Sequence, residues 1–278
     1  MIDPEASTSS NHSIAILGGG NLGRALALGW TGAGLVSAES VHVTRRRVDK
    51  LADLAAGGFN TSDDNRAAVR ATRTVVLAVQ PQQLDALLAE VADELVVGRH
   101  RVVSVVSGAS IAQIREAVGP GIPVVRAMPN TAVSIGESMT CVSADAEFED
   151  ALPAVEELFR AVGETLVIRE EMMVPATALC ACGVAFFLRC IRAASQGGIE
   201  IGFHPEEALL LAGQTARGAA ALSLKEGTHP EEEIDRVTTP RGCTIAGLNE
   251  MEHQGLSSAL IKGLTVSAKA AADLYHSD

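Results

Sequence analysis

Between Ser13 and Ile168, short apolar and β-branched runs recur along the chain, separated by stretches with helical spacing; the strand candidates are SIAIL, VHVT, TVVLAV, RVVSVV, PVVRA, MTCVS and TLVI. This alternation predicts strand-helix-strand units. Several runs are apolar at consecutive positions, so both faces of those strands must meet apolar partners, as in a parallel sheet covered by helices on both sides. Residues 13–168 are therefore expected to form a doubly wound, mostly parallel α/β sheet, with ligands at the carboxyl ends of its strands. After Ile168 the β-branched alternation stops and apolar residues fall at helical spacing, as in Ala208, Leu211, Ala212, Thr215 and Ala219. Residues 169–278 are expected to be all-α. Its many small side chains suit close helix packing, either within one chain or between two copies. The opening MIDPEASTSSNH, residues 1–12, is polar and acidic and is read as a disordered tail.

Composition changes this picture mainly by exclusion. Asp and Glu outnumber Lys and Arg by 34 to 22, a formal charge of −12, which argues against a nucleic-acid partner because phosphate binding needs a basic face. No uninterrupted apolar stretch approaches the ~20 residues of a membrane-spanning helix, so a cytoplasmic protein without a membrane partner is expected. The five cysteines, Cys141, Cys180, Cys182, Cys190 and Cys243, contain no C-x-x-C pair. Neither a disulfide framework nor a metal site fits them, and they read as small buried or site-lining thiols.

The first strand candidate runs into Gly18-Gly19-Gly20-Asn21-Leu22-Gly23, which contains G-x-G-x-x-G and is followed by a helical pattern. In that setting the first glycine permits a tight turn, the second a close approach of backbone to pyrophosphate, and the third close packing of helix on strand. About twenty residues further on, where an NAD site carries an acid, this chain has Val41-His42-Val43-Thr44-Arg45-Arg46-Arg47. Thr44 with Arg45 or Arg46 would pair with a 2′-phosphate that a carboxylate would repel, which favours NADPH over NADH. The alternative is an arginine cluster that merely opens a solvated helix.

Six motifs in order extend this reading: IAILGGGNLGRAL, VVLAVQPQQL, VVSVVSGASI, VVRAMPNTAVSIGESMT, GIEIGFHPEEALLLAGQTARGAA and VTTPRGCTIAGLNEMEHQG. Together they resemble the pyrroline-5-carboxylate reductase family. The resemblance implies an N-terminal Rossmann domain binding NAD(P)H, a helical domain that interlocks with a partner subunit, and assembly of such homodimers into larger rings. It implies reduction of a cyclic imine, 1-pyrroline-5-carboxylate, to L-proline. It also implies that the cofactor is lined by Gly18, Gly20, Asn21, Leu22, Thr44, Arg45, Asn65, Ala78, Val79, Gln80, Pro81, Ser107 and Gly108. The substrate would sit against Thr239, Gly242, Cys243 and Thr244, with Thr244 as the catalytic group that hydrogen-bonds the imine nitrogen. The chain departs from the family pattern at Gln80, Ala132, the Cys180-Ala181-Cys182 segment and Arg241. The last adds bulk and charge where the family has glycine, so it bears on substrate identity more than on reaction type.

An imine of this kind arrives readily protonated, so its reduction needs a positioned hydride donor, a carboxylate dock and a partner for the ring nitrogen, and no strong protein acid. Hydroxyacid dehydrogenases of similar layout need a lysine on the first helix of the second domain, whereas the lysines here are Lys50, Lys225, Lys262 and Lys269. His204 and His229, each in an H-P-E-E sequence, read as residues leading helices. Arg126 is open to two readings, facing the site or pairing with an acid at a domain seam, and Asn130 is a candidate for the nicotinamide side. The remaining alternatives are a related imine or ketone reductase acting on another small carboxylate, and a non-catalytic NADPH-binding regulator.

Overall fold

The computed structural model describes residues 12–224 and 229–275. Most of the expected tail, and Lys225, lie outside the described residues. In chain order the strands are β1 (Ile14–Leu17), β2 (Val41–Thr44), β3 (Asn60–Ser62), β4 (Thr74–Leu77), β5 (Arg101–Ser104), β6 (Val124–Met128), β7 (Ser138–Ala144) and β8 (Gly163–Val167). They form one sheet in the order β3-β2-β1-β4-β5-β6-β7-β8. Every neighbouring pair is parallel except β6 and β7, which run antiparallel with Arg126 opposite Ser143. The switch point, where the chain leaves β1 on one side for β2 and on the other for β4, lies beside the glycine turn.

The helices between strands are α1 (Asn21–Gly32), α2 (Ala52–Ala56), α3 (Asn65–Ala71), α4 (Leu84–Val91), α5 (Ile111–Val118) and α6 (Leu152–Arg160). They divide between the two faces of the sheet. Ile14, Ile16, Val43, Val76, Val103 and Val125 pack with Trp30 of α1 and Phe159 of α6, whereas Ala15, Leu17, Val75, Leu77, Val102 and Val124 pack with α3, α4 and α5. Because successive side chains on a strand alternate faces, this double burial is what makes the strands read as continuous apolar runs. The single tryptophan secures one layer: its indole N–H donates to the Leu158 carbonyl at 2.7 Å, and its ring meets Phe159 edge-on with centroids 5.8 Å apart.

Past β8 no strand occurs among the described residues. The helices are α7 (Met173–Ala176), α8 (Gly183–Glu200), α9 (Pro205–Ser223), α10 (Pro230–Val237), α11 (Cys243–His253) and α12 (Leu256–Ala272), with a π-helical turn at Thr177–Cys182 between α7 and α8. The chain forms two compact units. The first contains the sheet, continues through Cys182 and takes the chain up again from Ser267; the second is Gly183–Val266.

Within the second unit α8 and α9 line an apolar groove of about 770 Å³. Ala208, Leu211, Ala212, Thr215 and Ala219, the stripe visible in the sequence, all face it. Large apolar side chains of the second unit stand open, among them Phe187 and Leu188 on α8, Leu210 on α9 and Ile261 on α12. The helical run Glu170–Glu200 is moreover long and apolar enough, by length and composition, to cross a membrane. This differs from the expectation that no stretch approaches a span. Counting uninterrupted apolar residues hid the stretch Met172 to Leu188, interrupted only by Pro175, Thr177 and Gly183; a helix whose apolar face is covered by protein has the same composition.

Candidate active site

The Gly18-Gly19-Gly20 turn joins β1 to α1, and each glycine there has a different reason. Gly18 has φ +120°, and a Cβ on it would lie 2.3 Å from the Ala78 carbonyl oxygen. A Cβ on Gly23 would lie 2.2 Å from the Gly18 carbonyl oxygen, so this glycine lets α1 pack onto the turn. At Gly20 a Cβ would meet nothing within 4 Å. Packing does not require glycine at that position. Gly20 is also the N-cap of α1, whose first turn has no side-chain cap and no acidic residue. The orphan N–H groups of a 12-residue helix therefore face open space, the arrangement that receives an anion.

That space is a cleft of about 700 Å³ at the carboxyl ends of β1, β2 and β4. Of the residues expected to line the cofactor, Gly18, Gly20, Thr44, Arg45, Asn65, Ala78, Val79 and Gln80 line this cleft. Asn21, Leu22, Pro81, Ser107 and Gly108 are not on its wall. Leu22 instead packs against the core beneath α1, the Ser107 hydroxyl approaches the Met128 sulfur at 4.0 Å, and Gly108 lies under Tyr275, where a Cβ would come within 2.9 Å of that residue's backbone nitrogen. Beyond the glycine turn and the arginines, Gln82, Gln83, Ala86, Leu87 and Glu90 also line it. Their only sequence signal was their position just after the third nucleotide-domain strand.

The arginines of the cleft separate by their partners. Arg47 pairs with Asp49 at 3.0 Å and is neutralised locally. Arg45 donates to the Gly19 carbonyl at 3.1 Å, which holds its guanidinium against the glycine turn. Arg46 is exposed and has no partner among the described residues. Thr44 is 1 % exposed, and its hydroxyl donates to Asn65 Oδ1 at 2.6 Å. Asn65 in turn donates to Glu90 at 3.0 Å. With its proton engaged, Thr44 has little to offer a phosphate, and the free donors are those of Arg45 and Arg46.

In the second unit, Thr239-Pro240-Arg241-Gly242 makes a tight turn, with the Gly242 N–H donating to the Thr239 carbonyl at 2.9 Å. Arg241 has φ 59°, the only non-glycine residue with positive φ among those described. Gly242 is the N-cap of α11, and a Cβ there would lie 2.5 Å from the Thr239 hydroxyl. Because the Gly242 N–H is consumed inside the turn, the donors left at the start of α11 are those of Cys243, Thr244 and Ile245. Neither side-chain capping nor a first-turn acid occupies them. The Thr239 and Thr244 hydroxyls have no hydrogen-bond partner among the described residues. His204 and His229 lead α9 and α10: the His204 N–H donates to Glu207 at 3.1 Å, and His229 Nδ1 accepts from the Glu231 N–H at 3.2 Å.

Arg126 and Asn130 both find partners within the first unit, although the buried Nε and Nη2 of Arg126 have none among the described residues. The Arg126 guanidinium, 4 % exposed, reaches Glu170 at 3.3 Å, and burial pulls its pKa below the ordinary value while Glu170 opposes that shift. Glu170 also accepts the Ile111 N–H at the start of α5 at 2.6 Å. Asn130 accepts from the Ala132 N–H at 3.0 Å and donates to the Cys180 carbonyl at 3.4 Å.

A doubly wound sheet with an uncapped glycine turn at its switch point, an arginine-lined cleft beside it and a separate helical unit defines a Rossmann-type dinucleotide-binding protein. Family models described as "NADP oxidoreductase coenzyme F420-dependent" and "Pyrroline-5-carboxylate reductase dimerisation" match residues 13–108 and 170–274, and pyrroline-5-carboxylate reductase 2 of Dictyostelium discoideum is 46% identical over 276 residues, covering 94% of this chain and 92% of that protein. The chain belongs to the pyrroline-5-carboxylate reductase family. Pyrroline-5-carboxylate reductase 1 of the same organism is also 46% identical, over 95% of this chain, but the chain spans only 50% of that relative's length. Among solved structures, a pyrroline-5-carboxylate reductase from Coxiella burnetii superposes with TM-score 0.86 at 30% identity, covering 95% of this chain and 99% of that one. The Plasmodium falciparum pyrroline carboxylate reductase, determined with NADP bound, gives TM-score 0.87 at 22% identity over 95% of this chain and 98% of that one, a likeness of fold.

Proposed function

We propose that the protein reduces 1-pyrroline-5-carboxylate to L-proline with NADPH, in the cytoplasm, as a homodimer whose pairs assemble into larger rings. The observation that carries the nucleotide half is Gly20, a glycine that packing does not require, at the open N-terminus of α1. Support also comes from the family and from the NADP held by the Plasmodium falciparum relative. The first-turn N–H groups of α1 would hold the pyrophosphate, and Arg45 and Arg46 the 2′-phosphate; Ala78, Val79 and Gln80 would form the facing wall. When bound, such a cofactor supplies the hydride. NADH would lack the group that Arg45 and Arg46 are placed to bind.

The substrate carboxylate is assigned to the N–H groups of Cys243, Thr244 and Ile245, with Thr239 beside them. Thr244 offers its hydroxyl oxygen to the protonated ring N–H and thereby orients the imine. A threonine suffices, because an iminium needs no proton from the enzyme. The open apolar face of α8 and α9, together with the exposed run Glu170–Glu200, supports a second copy as what covers it, and hence a soluble protein rather than a membrane-spanning one. A second reading, reduction of another imine or ketone that carries two acids, rests on Arg241, an exposed cation on the turn that leads into α11.

Steady-state rates with pyrroline-5-carboxylate and each nicotinamide cofactor test the proposal. NADPH-dependent turnover to proline with kcat/KM above that for NADH is expected. Absence of turnover with either cofactor removes the enzymatic reading, and preference for a dicarboxylic substrate favours the second one.

A further inference from the structure

Cys141 and Cys180 bring their sulfurs to 3.9 Å. Cys141 stands on β7, 4 % exposed, with Met128 opposite it on β6 and Leu166 on β8. Cys180 is half-buried and sits in the π-helical turn Thr177–Cys182. The other cysteines, Cys182, Cys190 and Cys243, have no sulfur partner among the described residues. A disulfide spans about 2.05 Å, so the pair must close by roughly half its present separation. Cys141, fixed in a strand paired on both sides, cannot provide that movement. Cys180 can, because it is half-buried in a π turn, which carries an inserted residue and an irregular hydrogen-bond ladder.

We propose that Cys141 and Cys180 are a modification site, an oxidisable dithiol that hydrogen peroxide or an alkyl hydroperoxide closes to a disulfide. The roles follow from exposure. The Cys180 thiolate attacks a peroxide oxygen; the S–O bond forms, the O–O bond breaks, and the leaving oxygen departs as water or alcohol once protonated. Cys180 is then a sulfenic acid. The Cys141 sulfur attacks it, the S–S bond forms, the S–O bond breaks, and hydroxide leaves with the Cys141 proton as water. Two thiols lose two electrons and one peroxide gains them. Consistent with these roles, the Cys141 S–H hydrogen bond pulls the Cys180 thiol down to about 7, whereas the Cys141 thiol is pushed up by that same bond and by burial.

The test is independent of turnover. Full-length protein is treated with hydrogen peroxide under native conditions, free thiols are blocked under denaturing conditions, and tryptic peptides are mapped. A cross-link between the peptide containing Cys141 and the peptide containing Cys180 is expected, with loss of two of the five free thiols and full recovery on dithiothreitol. Because Cys180 and Cys182 share a peptide, Cys182→Ser must retain the cross-link while Cys180→Ser loses it. In Cys141→Ser, which lacks the resolving thiol, Cys180 should accumulate as a sulfenic acid captured by dimedone. Wild-type protein that keeps all its thiols, or a cross-link that survives Cys180→Ser, overturns the proposal. The wild-type map alone decides the first point, whether or not the variants fold.

Discussion

The Tyr275 hydroxyl donates to the Asp85 carboxylate at 2.5 Å, joining positions 190 residues apart within one compact unit. Tyr275 is the only tyrosine in the chain, so its ionisation can be followed without interference. The bond to Asp85 pushes the phenol up to about 12 from its ordinary 10. Phenolate absorbance of the native protein should therefore rise late, and Asp85→Asn should return it toward the ordinary value. A native protein that half-titrates at the ordinary value would show that the bond does not persist in solution.

The glycine turn separates fold from binding. Gly20→Ala adds a methyl group into open space at a permitted backbone angle, so it should cost at most about 1 kcal/mol of stability, the difference between capping residues. It should nevertheless weaken NADPH binding strongly, because the methyl group occupies the approach to the N–H groups. Gly23→Ala should destabilise, since its methyl would overlap the Gly18 carbonyl. Urea unfolding and cofactor titration on both variants check this; unchanged NADPH affinity in folded Gly20→Ala would remove the turn from the cofactor site.

Thr244→Ala should lower kcat/KM by roughly 10 to 150 fold, because a charge-assisted hydrogen bond is worth about 1.5 to 3 kcal/mol. NADPH affinity should be untouched. Wild-type kinetics in this variant would take Thr244 out of the mechanism.

At Arg241 the backbone adopts a conformation suited to glycine, at a cost of order 1–2 kcal/mol for an L side chain. Arg241→Gly relieves that strain but gives a more flexible unfolded chain, which returns about 0.4 to 1 kcal/mol. A net gain between about 0 and 1.6 kcal/mol in denaturant unfolding is expected from these opposing terms. Loss of stability would mean that the side chain makes contacts that offset its strain.

His100 ties stability to pH. Its Nδ1 accepts the Val96 N–H at 2.8 Å and its Nε2 faces the Val69 carbonyl at 3.2 Å, so the folded protein holds the neutral ring, and burial pulls its pKa below 6.5. His42 is lowered for the same reason. Below 6.5 the unfolded chain takes up protons that these sites refuse, so stability is full above that value and falls as pH drops through it. The urea midpoint should decline between about pH 7 and 5.5, and less steeply in His100→Gln. Equal slopes would assign the decline elsewhere.

What the sequence revealed and what it concealed divide along physical lines. The central strands were readable because burial on both faces makes β1, for example, apolar at every position, Ile14 to Leu17. The strand β3 was not, since Asn60-Thr61-Ser62 is three polar residues at the sheet edge, held by backbone pairing with β2 rather than by side chains. The glycine turn was legible because its steric demands are local. The sorting of Arg45, Arg46 and Arg47 by their partners was not, nor was the closure of Thr44 onto Asn65, because each depends on a side-chain pair with no periodic signal. In the helical half the α9 stripe announced an apolar face but not what covers it.

The return of the chain to the sheet unit from Ser267 makes the second unit an insertion rather than an appendage. Synthesis proceeds from the N-terminus, and domains commonly fold as they emerge. Here Gly108 and α4 wait for Leu274 and Tyr275 before their surface is complete. The nucleotide-binding unit is thus finished only after the entire helical unit has been translated, and a stop codon just past position 266 would damage the part of the protein made first.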